Sequence, residues 1–320
     1  MSEPKIGVAL GSGAAKGWAH IGVLRGLNRI GIMPTYVAGC SVGAFVGAAY
    51  AADKLDELEQ WVRSFSSWDV VSLMDLSWGR GGLVSGNKLF ETASETLGIG
   101  CVDELNKPFI AVATDLYTGQ EIWLDQGSVQ DIVRASCSIP GFLEPKKVGE
   151  RYLVDGAVVN PVPVSACRAL GAELVIAVDL HGDALAGEAR HRNSAPVRLE
   201  PVPVQALPQP ETETGSNGFM DLLASGKELI SEFTERFSSS DEQVKRQPNM
   251  LAVMHQSMEI LEQRHKRARL MGDPPDVLVM PRVAEINTME FQRAAEAIQA
   301  GEEAVMRIQH VIEAEVNRLS

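Results

Sequence analysis

The chain has 320 residues, 45% of them hydrophobic and 22% charged, with a formal net charge of −13 and an isoelectric point near 5.0. These are ordinary globular values, enough for one large α/β domain or two modest ones, and they exclude wholesale disorder. So acidic a chain is no nucleic-acid protein, which needs a basic face, and it has no broad attraction to anionic membranes, although a small local patch remains open.

The start, MSEPKIGVALGSG, lacks a basic segment followed by a long apolar core, so no signal peptide is expected. Apolar stretches elsewhere are interrupted well short of ~18 residues, and no spanning helix is expected. Cys40, Cys101, Cys137 and Cys167 show no CxxC or CxxH spacing. That leaves reduced thiols in a cytoplasmic protein, with no metal site or disulfide framework expected.

In chain order, Lys5 to Leu10 (KIGVAL) reads as a short apolar strand, followed by a Gly-rich turn and a helix over Trp18–Ile30. Pro34 to Ala38 is a second strand, leading through Gly39-Cys40-Ser41-Val42-Gly43 into a helix that runs through Ala44 to Ala52. Further strands are predicted at Phe109–Ala113, Gln120–Leu124, Arg151–Val154 and Leu174–Val178, with a crossing helix over Val164–Leu170. Such alternation predicts a mostly parallel sheet covered by helices.

The pattern breaks after His181. Residues 187–216 are rich in Pro, Glu, Thr and Ser, too poor in large apolar side chains to offset ordering entropy, and read as a flexible excursion. Helical patterns follow at Phe219–Phe237 and Met250–Met271, then a buried strand at Asp276–Met280. A long helical pattern spans Thr288–Leu319, with Thr288 a candidate N-cap that lacks a capping box. The resulting division is a core over 5–183, an excursion over 184–217 and a mainly helical extension over 218–320.

Gly39 to Gly43 is a G-x-S-x-G between a strand and a helix, the pattern of a nucleophile elbow. Small residues on both sides permit the tight turn that presents the Ser41 hydroxyl, and the following helix N-terminus favours negative charge there. The first strand ends in Gly11-Ser12-Gly13-Ala14-Ala15-Lys16-Gly17. A phosphate-binding loop needs G-K-[ST], and Lys16-Gly17-Trp18 fails it; a dinucleotide fingerprint needs glycine where Lys16 stands. An oxyanion hole fits, because both loops leave the C-terminal ends of neighbouring strands and can face each other.

The serine needs a base. Of six histidines, only His20 and His181 fall in the α/β part. His181 with Asp179 allows a cramped Ser–His–Asp relay, and His20 reads as a packed helix residue. Asp155, in Leu153-Val154-Asp155-Gly156-Ala157, can act if partly desolvated and hydrogen-bonded to the serine, but is equally a turn aspartate before glycine.

The loop GSGAAKG, the elbow GCSVG and the DGA triplet stand in the order and context of the patatin-like phospholipases, and the chain resembles especially their short bacterial branch. GLVSGNKL (82–89), ATDLYTG (113–119), RASCSIPGF (134–142) and DGAVVNPVPV (155–164) fit the same resemblance, which covers about 5–180. The reading is a three-layer α/β domain, to which the residue patterns after 218 add a helical C-terminal extension, and the resemblance implies a Ser41–Asp155 dyad without catalytic histidine. It further implies an oxyanion hole from Gly11, Ser12, Gly13 and Ala14, supported by Lys16, Gly17, Gly39, Gly43 and Gly156. The implied activity is hydrolysis of lipid acyl esters without a metal or cofactor. The chain departs from the pattern at Ser12-Gly13-Ala14 and Lys16, where many relatives carry three glycines and arginine. Lysine keeps the charge but loses the planar fork.

The expected partner is a lipid or other acyl-ester substrate, met in the cytoplasm or peripherally at the inner membrane face. Ser64–Trp78 interleaves aromatic and aliphatic residues, and core packing is favoured over a lid or interfacial patch. The helix face of Phe219–Phe237 is expected to dock on the parent domain in preference to lipid or a partner subunit, and the C-terminal helices are where a second copy or partner protein would attach. Two rival readings remain: a small-ester or thioester hydrolase, and a patatin-shaped binding or regulatory module with little turnover.

Overall fold

Strands with apolar side chains on both sides need cover on both faces. The computed structural model describes residues 4–66, 84–182 and 250–319. Its strands are β1 (Ile6–Leu10), β2 (Tyr36–Cys40), β3 (Phe109–Asp115), β4 (Glu121–Leu124), β5 (Lys146–Val148), β6 (Arg151–Asp155), β7 (Leu174–Val178) and β8 (Val277–Val279). They form one sheet in the order β5-β6-β3-β2-β1-β7-β8, with β4 also on β3. The helices are α1 (Ala19–Arg29), α2 (Val42–Ala51), α3 (Leu55–Arg63), α4 (Asn87–Leu97), α5 (Val129–Ser136), α6 (Val164–Ala169), α7 (Met250–Gly272), α8 (Ala294–Arg307) and α9 (Gln309–Leu319). The stretches 184–217 and Phe219–Phe237, and most of Ser64–Trp78, lie outside the described residues.

Alternate residues sort to opposite faces. Val8, Leu10, Val37, Phe109 and Ile176 enter a core with Leu24, Val46 and Ile298, from α1, α2 and α8. Ala9, Ala38, Val112 and Ala177 enter a second core with Val164, Ala166 and Cys167 of α6, against which Leu270 of α7 packs. The result is three layers, helices on a central sheet on helices. Alanines dominate the second face, and their small side chains leave room for α6 to lie close.

The sheet is mixed. The pairs β1–β2, β1–β7, β2–β3 and β7–β8 are parallel, while β3–β4, β3–β6 and β5–β6 are antiparallel. The links before β4 and β6 are far too short for a crossover and can only make hairpins. β2 sits two residues later than predicted, because its ladder includes Gly39, opposite Leu10, while Pro34 has no N–H to contribute.

The chain after 250 is built into the same sheet and core. β8 pairs with β7 as the expected strand. The pattern at 288–319 is two helices, α8 and α9, divided at Ile308, and α8 begins only at Ala294. Thr288 is no N-cap; its carbonyl accepts from the Ala15 amide at 3.1 Å, and the Phe291 carbonyl accepts from Trp18 Nε1 at 3.1 Å.

α8 lies directly on α1. A Cβ at Gly301 would fall 2.1 Å from the Ala19 carbonyl oxygen, and one at Gly22 would fall 1.8 Å from that of Ile298. Backbone cannot give way as a side chain can, so Gly301→Val is expected to destabilise by about 3 kcal/mol. Denaturant unfolding measures this, and an unchanged midpoint would contradict the close crossing. Among the described residues no helix is long and apolar enough to cross a membrane.

Candidate active site

β3 brings two distant segments together. Cys40, the last residue of β2, pairs with Val112, and Asp155, the last of β6, pairs with Ala113. β4 covers the other edge of β3 at residues 111–114. β2 and β6 therefore share one edge, approaching from opposite directions and stopping on adjacent rungs. Gly156 is dictated by this meeting, since a Cβ there would lie 2.2 Å from the Val112 oxygen.

Ser41 follows Cys40 at φ 56, ψ −126, a conformation that side chains rarely adopt. The turn closes because Gly43 presses on the end of β1, where a Cβ would meet the Leu10 oxygen at 2.1 Å. The Ser41 carbonyl accepts from Ala44 and Phe45, the first turn of α2. Its amide donates to Ser136 Oγ at 2.9 Å, and Ser136 Oγ donates to the Val112 carbonyl at 2.6 Å. Strain held at this position is released by glycine, so Ser41→Gly is expected to be more stable than Ser41→Ala by about 1 kcal/mol. Equal melting temperatures for the two variants would argue against strain.

Ser41 Oγ donates to Asp155 Oδ2 at 2.6 Å. Asp155 Oδ1 accepts from the Ala157 amide at 2.8 Å and faces the Cys40 thiol at 3.9 Å. Its own amide donates to the Ser138 carbonyl at 2.9 Å, and its carbonyl accepts from Thr114 Oγ1 at 2.8 Å. Burial pushes the carboxyl up to about 7; the Ser41 and Ala157 donors oppose this, and the charge of Glu262 adds to it. A carboxyl shifted in this direction binds a proton more tightly than an ordinary aspartate does.

The four residues of the expected oxyanion hole divide. The Gly11 amide donates to the Val178 carbonyl at 3.1 Å and the Ser12 amide to that of Pro161 at 2.9 Å, so neither is free for substrate. The amides of Gly13 and Ala14 have no acceptor among the described residues. Ala14 holds φ 46, the left-handed region in which glycine is at ease. Lys16 is buried, which lowers its pKa, with Glu259 and Glu262 opposing and Lys266 reinforcing.

His20 is packed in α1 and also supports the loop. Its Nε2 lies 2.8 Å from the Gly11 carbonyl, which can only accept, so Nε2 carries the proton. Burial drives this ring down to about 4 and keeps it neutral. The His181–Asp179 relay is overturned. Asp179 Oδ1 accepts from Lys266 Nζ at 2.6 Å and from the His181 amide at 2.9 Å, so the carboxylate is committed to an ammonium. Burial pushes the His181 ring down to about 3, and Ser41 has its carboxylate directly.

Sequence reasoning gave no role to Ser136, Ser138, Glu262 or Lys266. The first two lie in RASCSIPGF, and serines in an otherwise apolar helix end were the available signal. Glu262 and Lys266 had none, since charged residues on a helix are ordinarily solvated.

A two-face-covered sheet with a serine at a strained strand-to-helix turn defines a class, the α/β proteins that carry a G-x-S-x-G turn between strand and helix. Within it, a family model described as patatin-like phospholipase matches residues 8–168, and the chain belongs to that family. Uncharacterized NTE family proteins of Mycobacterium bovis and Mycobacterium tuberculosis are 29% identical over 94% of this chain and 90% of their own length. Neuropathy target esterase of Drosophila melanogaster is 31% identical over 55% of this chain and 13% of its own. The crystal structure of VipD from Legionella pneumophila aligns at TM-score 0.48 and 14% identity, over 97% of this chain and 67% of that one.

Proposed function

We propose that this protein hydrolyses carboxylic esters of lipids through an acyl-enzyme on Ser41, with Asp155 as general base. The observation that carries the reading is the 2.6 Å hydrogen bond between Ser41 Oγ and a buried carboxyl shifted to about 7. Asp155 takes the hydroxyl proton as Ser41 Oγ attacks the ester carbonyl, and the amides of Gly13 and Ala14 receive the oxyanion. The alcohol leaves with the proton that Asp155 holds. Water then attacks the acyl-enzyme with Asp155 again as base, releasing the carboxylic acid and restoring Ser41. Water is the only co-reactant.

Family membership and the esterase name of the Drosophila relative support lipid esters as the substrate class. On this reading the enzyme meets its substrate at the cytoplasmic side of a membrane. The test offers purified protein lysophospholipid micelles, diacylphospholipid vesicles and a soluble short-chain nitrophenyl ester, and measures acid release. Release from lipid that disappears in Ser41→Ala supports the proposal. Turnover of the soluble ester alone favours the small-ester reading, and none at all favours a binding module.

A further inference from the structure

α7 lies beyond the 8–168 span that matches the family, yet it reaches the candidate site. Ser12 Oγ donates to Glu262 Oε1 at 2.5 Å. With its amide on the Pro161 carbonyl, Ser12 is thus held at both ends, immediately before Gly13 and Ala14, whose amides have no acceptor among the described residues. Where the resemblance has glycine, this chain has the hydroxyl that the contact needs.

The rest of α7 is braced against the same region. One turn on, Lys266 makes its buried ion pair with Asp179 at the end of β7. His265 Nε2 lies 2.6 Å from the Val159 carbonyl, four residues past Asp155. Arg269 bonds Glu121 at 2.9 Å and Ser165 at 3.3 Å, and Glu121 accepts from Asn160 Nδ2 at 2.8 Å. The helix is pinned to the segments leaving β6 and β7, and Glu262 projects from it onto the loop that follows β1.

Resting on the function proposed above, we infer that Glu262 is a positioning residue, which through Ser12 aims the Gly13 and Ala14 amides at the ester carbonyl. The charges around it are Lys16 from the Gly-rich loop, Asp179 at the end of β7, Asp155 at the end of β6, and Glu259 and Lys266 from its own helix. Burial pushes the Glu262 carboxyl up and the Ser12 hydroxyl draws it back. The ionised form raises the pKa of Asp155 by its charge. A hydrogen-bonding role and a charge role are therefore separable by substitution.

The experiment compares Ser12→Ala, Glu262→Ala, their double variant and Glu262→Gln on a soluble nitrophenyl ester. Each alanine variant is expected to lower kcat by about 10- to 100-fold with KM within about twofold, the scale of a misaimed catalytic group. The double variant should be no worse than the poorer single. Glu262→Gln still accepts from Ser12 and should keep kcat, while the acid limb of its pH profile moves down because a negative charge near Asp155 is gone. Unchanged Ser41-dependent turnover in both alanine variants, or multiplying losses in the double, overturns the inference. Should the wild type show no Ser41-dependent turnover, it is the proposed function that fails. Hydrogen exchange at residues 12–16 then decides for Glu262: faster exchange in Glu262→Ala at unchanged Tm supports positioning, and unchanged exchange refutes it.

Discussion

Ser41→Ala is expected to lower ester turnover by at least about 10⁴-fold, the scale on which removing a nucleophile acts when only the oxyanion site remains. Reaction with a fluorophosphonate probe should vanish with it. Alanine keeps the Cβ and hence the strained turn, and the Ser41 amide and carbonyl keep their bonds to Ser136, Ala44 and Phe45. The variant should therefore remain folded, and loss of activity will report chemistry. Cys40 cannot substitute, because burial and the neighbouring Asp155 push its thiol well above the ordinary range and hold it protonated. Labelling that persists in a folded Ser41→Ala protein would move the nucleophile elsewhere.

Asp155→Asn is expected to lower kcat/KM by about 10²- to 10⁴-fold, the range for losing a general base. The wild-type profile should rise with pH and level off above 7, since the base must be ionised and its folded pKa is about 7. Stability should run the other way. An unfolded aspartate loses its proton near 3.9, so between about pH 4 and 7 the folded chain binds a proton that the unfolded chain has released, and stability falls as pH climbs. Asparagine is neutral throughout. The variant should gain on the wild type across that window, by as much as about 4 kcal/mol above pH 7. Thermal unfolding at pH 5 and pH 8.5 checks this; an equal difference at both would remove burial as the source of the raised pKa.

The sheet's central strands were legible because β1, β7 and the first five residues of β3 are apolar runs. β2 was placed two residues early, since Gly39 and Cys40 join the ladder without an apolar signal that extends it. β5, Lys146-Lys147-Val148, is a polar edge strand held by its hairpin and has no period to read. α3, α4 and α5 lack such a signal: Leu55–Arg63 buries only Leu58 and Val62, and α5 ends within RASCSIPGF, which is legible only through its resemblance. Ser41 announced itself through its small neighbours. Asp155 did not, because what distinguishes it from a turn aspartate is contact with a residue 114 positions away. Glu262 was out of reach for the same reason, its partner lying 250 positions back.

The meeting of β2 and β6 on β3 makes Val112 and Ala113 a ruler for Ser41 and Asp155. Chain length between Ser41 and Asp155 has no bearing on their separation, which is set by one step along a third strand. The intervening loops can drift in length, since lengthening a surface loop costs little. The single step from Val112 to Ala113 has no such freedom, because an inserted residue there would part Ser41 from Asp155 while leaving both strands intact. Sequence variation among chains of this architecture should accordingly concentrate in length outside β3 and be nearly absent within it.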